Sequence, residues 1–171
     1  MAQMMRDHGL RVCVVSSMQW DEGEVPLFGA INCVNSDPDS GRTGSIKCGL
    51  SALGWPKRAI VAPVDRPGFS SKTLRRLIDS EVCACPSNDG RGGHPILLDE
   101  ASIEAVRHAL PDMPLRSLCT PLRFEVEDPH MNLNIDTKAD VQMLKSTTVP
   151  SGARSFCCAY HVSPLRHRRI C

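Results

Sequence analysis

The chain is poor in aromatic residues and nearly neutral. Phe, Trp and Tyr make up 4% of its 171 residues, and the formal net charge is +1. So few rings disfavour a stacking platform for single-stranded nucleic acid. So little charge leaves no electrostatic footprint for nucleic acid or an acidic membrane surface. No apolar run approaches the roughly 20 residues needed to cross a bilayer. The N-terminal M-A-Q-M-M-R-D-H-G-L lacks the apolar stretch of a secretory leader and carries Asp7, so the expected location is cytoplasmic. C-x-x-C is also absent, which leaves a structural zinc site little support.

Cysteine itself is plentiful, at nine residues, but the number is odd. Cys13, Cys33, Cys48, Cys83 and Cys119 stand singly in apolar or amphipathic contexts, and Cys85 shares a strand with Cys83. In a cytosolic chain such residues read as small buried hydrophobes rather than a disulfide framework. The length suits one domain with a sizeable core. A content of 42% hydrophobic and 23% charged residues is ordinary for a globular protein.

Patterning predicts alternating strands and helices. A helix end at residues 1–9 stops at His8-Gly9. R-V-C-V-V-S-S (11–17) and A-I-N-C-V (30–34) read as strands, with a polar loop at 18–29 between them. N-S-D-P-D-S-G-R-T-G (35–44) is a turn cluster. A helix follows at 45–53, with Ser45 placed to cap it. R-A-I-V-A-P-V (58–64) is wholly apolar, as expected at the centre of a parallel sheet covered on both faces. A helix at 70–80 carries Ser70 or Ser71 as cap and turns Leu74, Leu77 and Ile78 inward.

V-C-A-C-P (82–86) and H-P-I-L-L (94–98) form a hairpin-like pair around a Gly-rich turn. A helix at 99–110 opens with acids and closes near Arg107 and His108, matching its dipole. A short helix at 114–118, a strand at 122–126 and a closing helix at 137–145 complete the pattern. The expectation is an α/β fold, largely parallel, with one antiparallel excursion. The last 26 residues (146–171) hold four arginines, no acid and no period, and read as a loosely ordered basic tail containing Cys157, Cys158 and Cys171.

Three spots carry chemistry. Asp65 follows the most apolar strand, at the carboxyl edge where open parallel sheets bind ligands. Such a carboxylate suits Mg²⁺, which takes one or two carboxylates plus phosphate oxygens; it equally suits a plain turn cap. Pro63 and Pro67 stiffen the strand's exit. In M-N-L-N-I-D-T-K-A-D (131–140), Asn134 and Asp136 share one side of an extended segment and can supply further oxygen ligands. The alternative is that this stretch simply begins a helix, with Thr137 as N-cap and Asp140 at N3. In G-R-G-G-H-P (90–95), Gly93 permits close approach of a ligand and Pro95 constrains His94, although a lone histidine is more often structural. S-G-R-T-G-S (40–45), at a helix N-terminus, is a candidate anion site without the Lys-Ser/Thr of a P-loop.

V-A-P-V-D-R-P, G-R-G-G-H-P-I-L-L and N-I-D-T-K-A-D-V, in that order, resemble the MobA-like NTP transferase family, and its molybdenum cofactor cytidylyltransferases in particular. The segment 35–53, in which a glycine and Ser-Ile precede a helix, is similar to the family too. The resemblance covers about residues 5–145. It implies a Rossmann-like three-layer αβα fold, and transfer of CMP or GMP from an NTP (CTP or GTP) to a phosphate on a molybdopterin-type acceptor. Asp65 and Asp136 would hold Mg²⁺, with Asn134 beside them. Gly93 and His94 would face the acceptor, and Ser45 the nucleotide. A homo-oligomer is compatible with this reading. The family's Gly-rich opening, L-A-A-G-x-S-x-R-x-G and a lysine, has no counterpart here. The expectation is therefore an N-terminally truncated domain, 1–145, either active or retaining only binding.

Overall fold

In the computed structural model, residues 1–17, 27–135, 137 and 140 are described. Asp136, the part of the 137–145 helix beyond Asp140 and the basic tail at 146–171 lie outside the described residues, as does most of the 18–29 loop.

Helix α1 (Ala2–Asp7) ends where Gly9 takes φ +77°, a left-handed conformation natural to glycine. Strands β1 (Cys13–Ser17) and β2 (Ile31–Asn35) pair in parallel as a two-stranded sheet. Between β2 and helix α2 (Arg42–Ala52) lies a short 3₁₀ turn, Pro38–Ser40. Strand β3 (Ala59–Val61) leads to helix α3 (Ser71–Ile78). Strands β4 (Ala84–Asn88), β5 (Arg91–Gly92) and β6 (Ile96–Leu98) precede helix α4 (Glu100–His108) and strand β7 (Leu122–Glu125).

The larger sheet runs β3-β6-β4-β5, with β7 on β4. β6 lies antiparallel to both β3 and β4, and β7 parallel to β4. β3, β4 and β7 therefore share one direction, and the β5–β6 stretch is the antiparallel excursion. Its tight turn is Asp89-Gly90, with φ of 52° and 73°, the two positive values that an Asp-Gly hairpin supplies.

Strand alternation sorts side chains onto two faces. Ala59, Val61, Ile96, Leu98 and Cys85 meet Leu50 of α2 and Ile103 and Val106 of α4. Ile60, Leu97 and Ala84, of opposite parity, meet α1 and α3 through Met5, Leu74 and Leu77. Two helices thus cover each face, which makes three αβα layers. Leu74, Leu77 and Leu98 are fully buried, and each contributes about 1.5–3 kcal/mol of apolar burial.

Three expectations change. β3 is three residues long, half-buried, and among the described residues pairs only with β6, so among these it stands at the edge of its sheet and not the centre. Its apolar run reports that both faces are covered, but carries no information about its edges. Ser45 does not cap α2; the helix starts at Arg42 with Gly41 as N-cap. Gly41 has φ +131° and runs so close to Pro111 and Asp112 that any Cβ would collide with their backbone. Finally, Cys33 and Cys48 form a disulfide across β2 and α2, their Cα atoms 6.8 Å apart. A separation of 15 residues without a cysteine motif hid that pairing from sequence. Cys83 and Cys85 are buried thiols, as expected.

Candidate active site

Asp65 stands just past β3, in a turn where the Arg66 amide donates to the Pro63 carbonyl over 3.1 Å. Beneath it passes the segment 128–135. The Ile135 amide donates to the Asp65 carbonyl over 2.8 Å, so the backbone next to Asn134 is tied to the Asp65 turn. Ile135 and Met131 are buried, which pins the segment down. At its other end Asp128 accepts hydrogen bonds from the Ser70 amide (2.9 Å) and the Thr73 hydroxyl. Gly68 makes room: a Cβ there would overlap the His130 carbonyl. Thr137 and Asp140 form the reciprocal capping pair expected of them, with the Thr137 amide on Asp140 Oδ2 at 2.7 Å and the Asp140 amide on the Thr137 hydroxyl at 3.3 Å.

His94 comes from the neighbouring strand. β3 and β6 pair with Val61 opposite Ile96, and continuing that register puts His94 across from Pro63, two residues before Asp65. Gly93 donates its amide to the Pro86 carbonyl over 2.8 Å and lies flat against Met131, whose methyl would be 3.0 Å from a Cβ. Burial pushes the His94 imidazole below the ordinary histidine value, and Arg66 lowers it further. Asp65 and the Val61 carbonyl act in the opposite direction, and Arg42 adds a smaller lowering. Two buried atoms of this cluster have no hydrogen-bond partner: Asp65 Oδ1 and His94 Nδ1.

The structure thus gathers Asp65, Gly93, His94 and Asn134, three motifs far apart in sequence. Ser45 is buried inside α2, where its hydroxyl accepts a hydrogen bond from the Asn35 amide over 3.0 Å. The anion reading of residues 40–45 weakens, because the Gly44 amide is taken by the Pro111 carbonyl (3.1 Å) and Thr43 bonds to the Met113 carbonyl (2.6 Å).

Sequence reasoning passed over Arg66 and Arg42, the two cations whose charge lowers the His94 pKa. Arg66 was legible, being the charged neighbour inside the D-R-P turn; Arg42 needed the fold. Asp128 was missed as well, although D-P-H marks a turn.

Cation chemistry fits what is present. Among the described residues the ion pairs are Lys57–Glu100, Arg107–Glu104 and His108–Glu104, so no salt bridge neutralises Asp65. No described group of three or more His, Cys, Asp or Glu side chains is arranged as a complete metal cage. A single unneutralised carboxylate suits a cation that takes its remaining ligands from water and phosphate. No helix among the described residues is long and apolar enough to cross a membrane.

Comparison with known proteins bears on the family and the fold. The model of the MobA-like NTP transferase domain matches residues 1–126. Among solved structures, the molybdopterin-guanine dinucleotide biosynthesis protein A from Archaeoglobus fulgidus superposes with a TM-score of 0.57 at 14% identity, over 85% of this chain and 82% of that one. At that identity the likeness speaks for the fold. No curated protein matches the chain.

Proposed function

The chain belongs to the MobA-like NTP transferase family, and on that premise we propose that it moves CMP or GMP from an NTP to the phosphate of a molybdopterin-type acceptor, releasing pyrophosphate. The observation that carries the reading is Asp65: a carboxylate just past β3 without an ion pair among the described residues, tied through its backbone to the Asn134 segment and within electrostatic reach of His94.

Asp65 would hold Mg²⁺, with Asp136 as second carboxylate and Asn134 as neutral oxygen donor. The bound cation supplies charge neutralisation between the phosphates. The chain's own residues do the rest. Arg66 and Arg42 hold phosphate oxygens by charge-assisted hydrogen bonds. Gly93 leaves the backbone open to the acceptor, and His94 lies toward the same side. Ser45 bears on the nucleotide through Asn35, whose amide it fixes at the end of β2. The acceptor phosphate is itself the nucleophile, so orientation replaces a side-chain nucleophile.

Incubation with Mg²⁺, labelled CTP or GTP and molybdopterin should release pyrophosphate, and Asp65→Asn should lower that rate at least about a hundredfold. Absence of pyrophosphate with every NTP would refute the transferase reading. A second reading, a member that binds without catalysis, is favoured by the separation of the two sheets. Among the described residues, the outer edge of β3 has no strand beside it. Asp65-dependent turnover would rule this reading out.

A further inference from the structure

The sheet of β1 and β2 stands apart from the larger one. Among the described residues no strand pairing joins the two. Two strands on their own are marginal in water, so the small sheet depends on what it packs against, chiefly α2. There Gly49 lies so close to Val15 that a Cβ would stand 2.9 Å from its methyl. Two further ties join β2 to α2. One is covalent, the Cys33–Cys48 disulfide. The other is the hydrogen bond from the Asn35 side-chain amide to the Ser45 hydroxyl, over 3.0 Å.

The disulfide is open to exchange. Cys33 and Cys48 are half-buried and the neighbouring Val34 is exposed, so a small thiol has access to the bond. The reduced state is accommodated as well. Cys48 Sγ lies 3.7 Å from the Val34 carbonyl, an acceptor for the thiol proton once the bond opens. The Asn35–Ser45 bond meanwhile keeps β2 and α2 in register, so the two sulfurs can meet again. Other described thiols compete poorly. Burial pushes Cys13 and Cys85 up, and Cys119 up to about 12, whereas the attacking species is the thiolate.

We propose that Cys33 and Cys48 form a reversible redox clasp that sets how firmly the β1–β2 sheet is held on α2. Closure passes two electrons from the two thiols to a small-molecule disulfide. The Cys33–Cys48 bond forms, the oxidant's S–S bond breaks, and its two sulfurs leave as thiols bearing the two protons. Opening is the reverse, driven by excess thiol. Closed, the bond restrains every opening in which β2 leaves α2; open, only packing and the Asn35–Ser45 bond remain. The clasp does not depend on the function proposed above.

Hydrogen exchange read by mass spectrometry tests this on the full chain, without ligand. The wild type is equilibrated in oxidised or in reduced glutathione, with no denaturant. Peptide mapping of the oxidised sample should show Cys33 joined to Cys48, and reduced glutathione should free both thiols within about hours. On reduction the amides of β1 and β2 should exchange about 10–100-fold faster, while those of β4 and β6 keep their rates. Reoxidation should restore the slow rates. Cys48→Ser should exchange like the reduced wild type and ignore glutathione; if it does not fold, the wild-type comparison decides alone. Cysteines 33 and 48 left unpaired in the oxidised sample overturn the clasp, as does a bond that resists reduced glutathione. Equal exchange in the two states, or exchange that quickens alike in both sheets, overturns it too.

Discussion

The backbone amide of Ile135 donates to the backbone carbonyl of Asp65 over 2.8 Å. This bond joins two stretches separated by 69 intervening positions of chain, and it explains why V-A-P-V-D-R-P and N-I-D-T belong to one site. The Asp65 turn follows β3, which among the described residues is the edge of its sheet. The segment 128–135 supplies a second wall, anchored by Asp128 at one end and by buried Met131 and Ile135 along its length.

Ile135→Pro removes that amide while keeping an apolar side chain. The Asp65 carbonyl then loses its partner, at about 0.5–1.5 kcal/mol for the bond and somewhat more if the ring also disturbs the buried position. Urea denaturation should show the loss. Mn²⁺ affinity should fall in the same variant, because the Asp65 turn is freed; unchanged affinity would show that the turn stands by itself.

Asp128→Ala should destabilise the fold by about 2 kcal/mol. The carboxylate accepts from the Ser70 amide and the Thr73 hydroxyl at the start of α3, where Ser70 also caps Thr73 over 3.2 Å. Its loss strips the helix start of one acceptor and leaves Thr73, which is 2% exposed, with its hydroxyl short of a partner. Thermal unfolding of Asp128→Ala against Ser70→Ala separates the two contributions, and the Asp128 variant should melt lower.

Asp99 predicts a pH dependence. Its carboxylate caps α4, accepting from the Ser102 hydroxyl (2.6 Å) and amide (2.9 Å), and also from the Cys83 amide (3.0 Å). The Ser102 hydroxyl first, then its amide, hold the Asp99 pKa below the ordinary aspartate value. A depressed folded-state pKa means stability that is fully present above the unfolded value of about 3.9 and is lost as pH falls through the lower folded value. The stability gap between wild type and Asp99→Asn, measured in urea from about pH 6 down to about pH 2, should therefore be constant above about pH 5 and close toward the acid end. A gap that widened on acidification would contradict the assignment.

Much of this was legible before any coordinates, and the residues show why. Leu74 and Leu77 recur at helical spacing, Asp99 and Ser70 stand at cap positions, and Asp89-Gly90 makes a turn that few other pairs can make. Each is a local rule, resolved within a few residues. Asp65, His94 and Asn134 were singled out by position and residue type and given roles by resemblance, and the fold joined their segments. What stayed hidden depends on long-range packing. That Gly41 lies under Pro111, that Cys33 meets Cys48, and that β3 is an edge are facts about partners distant in sequence, with no local signature. Arg42 belongs to the same class, because only the fold brings the first residue of α2 within electrostatic reach of His94.

The two arginines can be tested first without substrate and then with it. Burial is the main reason that His94 titrates below the ordinary histidine value, and Arg66 is the next, with Arg42 a smaller contributor. Removing a nearby cation relieves the repulsion felt by the protonated ring, so the pKa must rise. In Arg66→Ala the His94 signals should titrate at higher pH than in wild type, and in Arg42→Ala the rise should be smaller. The same order should appear in phosphate binding. Each arginine that holds a phosphate oxygen contributes about 1.5–3 kcal/mol through a charge-assisted bond, so acceptor KM should rise about tenfold or more in Arg66→Ala, and the sensitivity of binding to added salt should shrink. A raised His94 pKa with an unaltered KM would leave the arginines as neighbours of the histidine and remove them from the phosphate site.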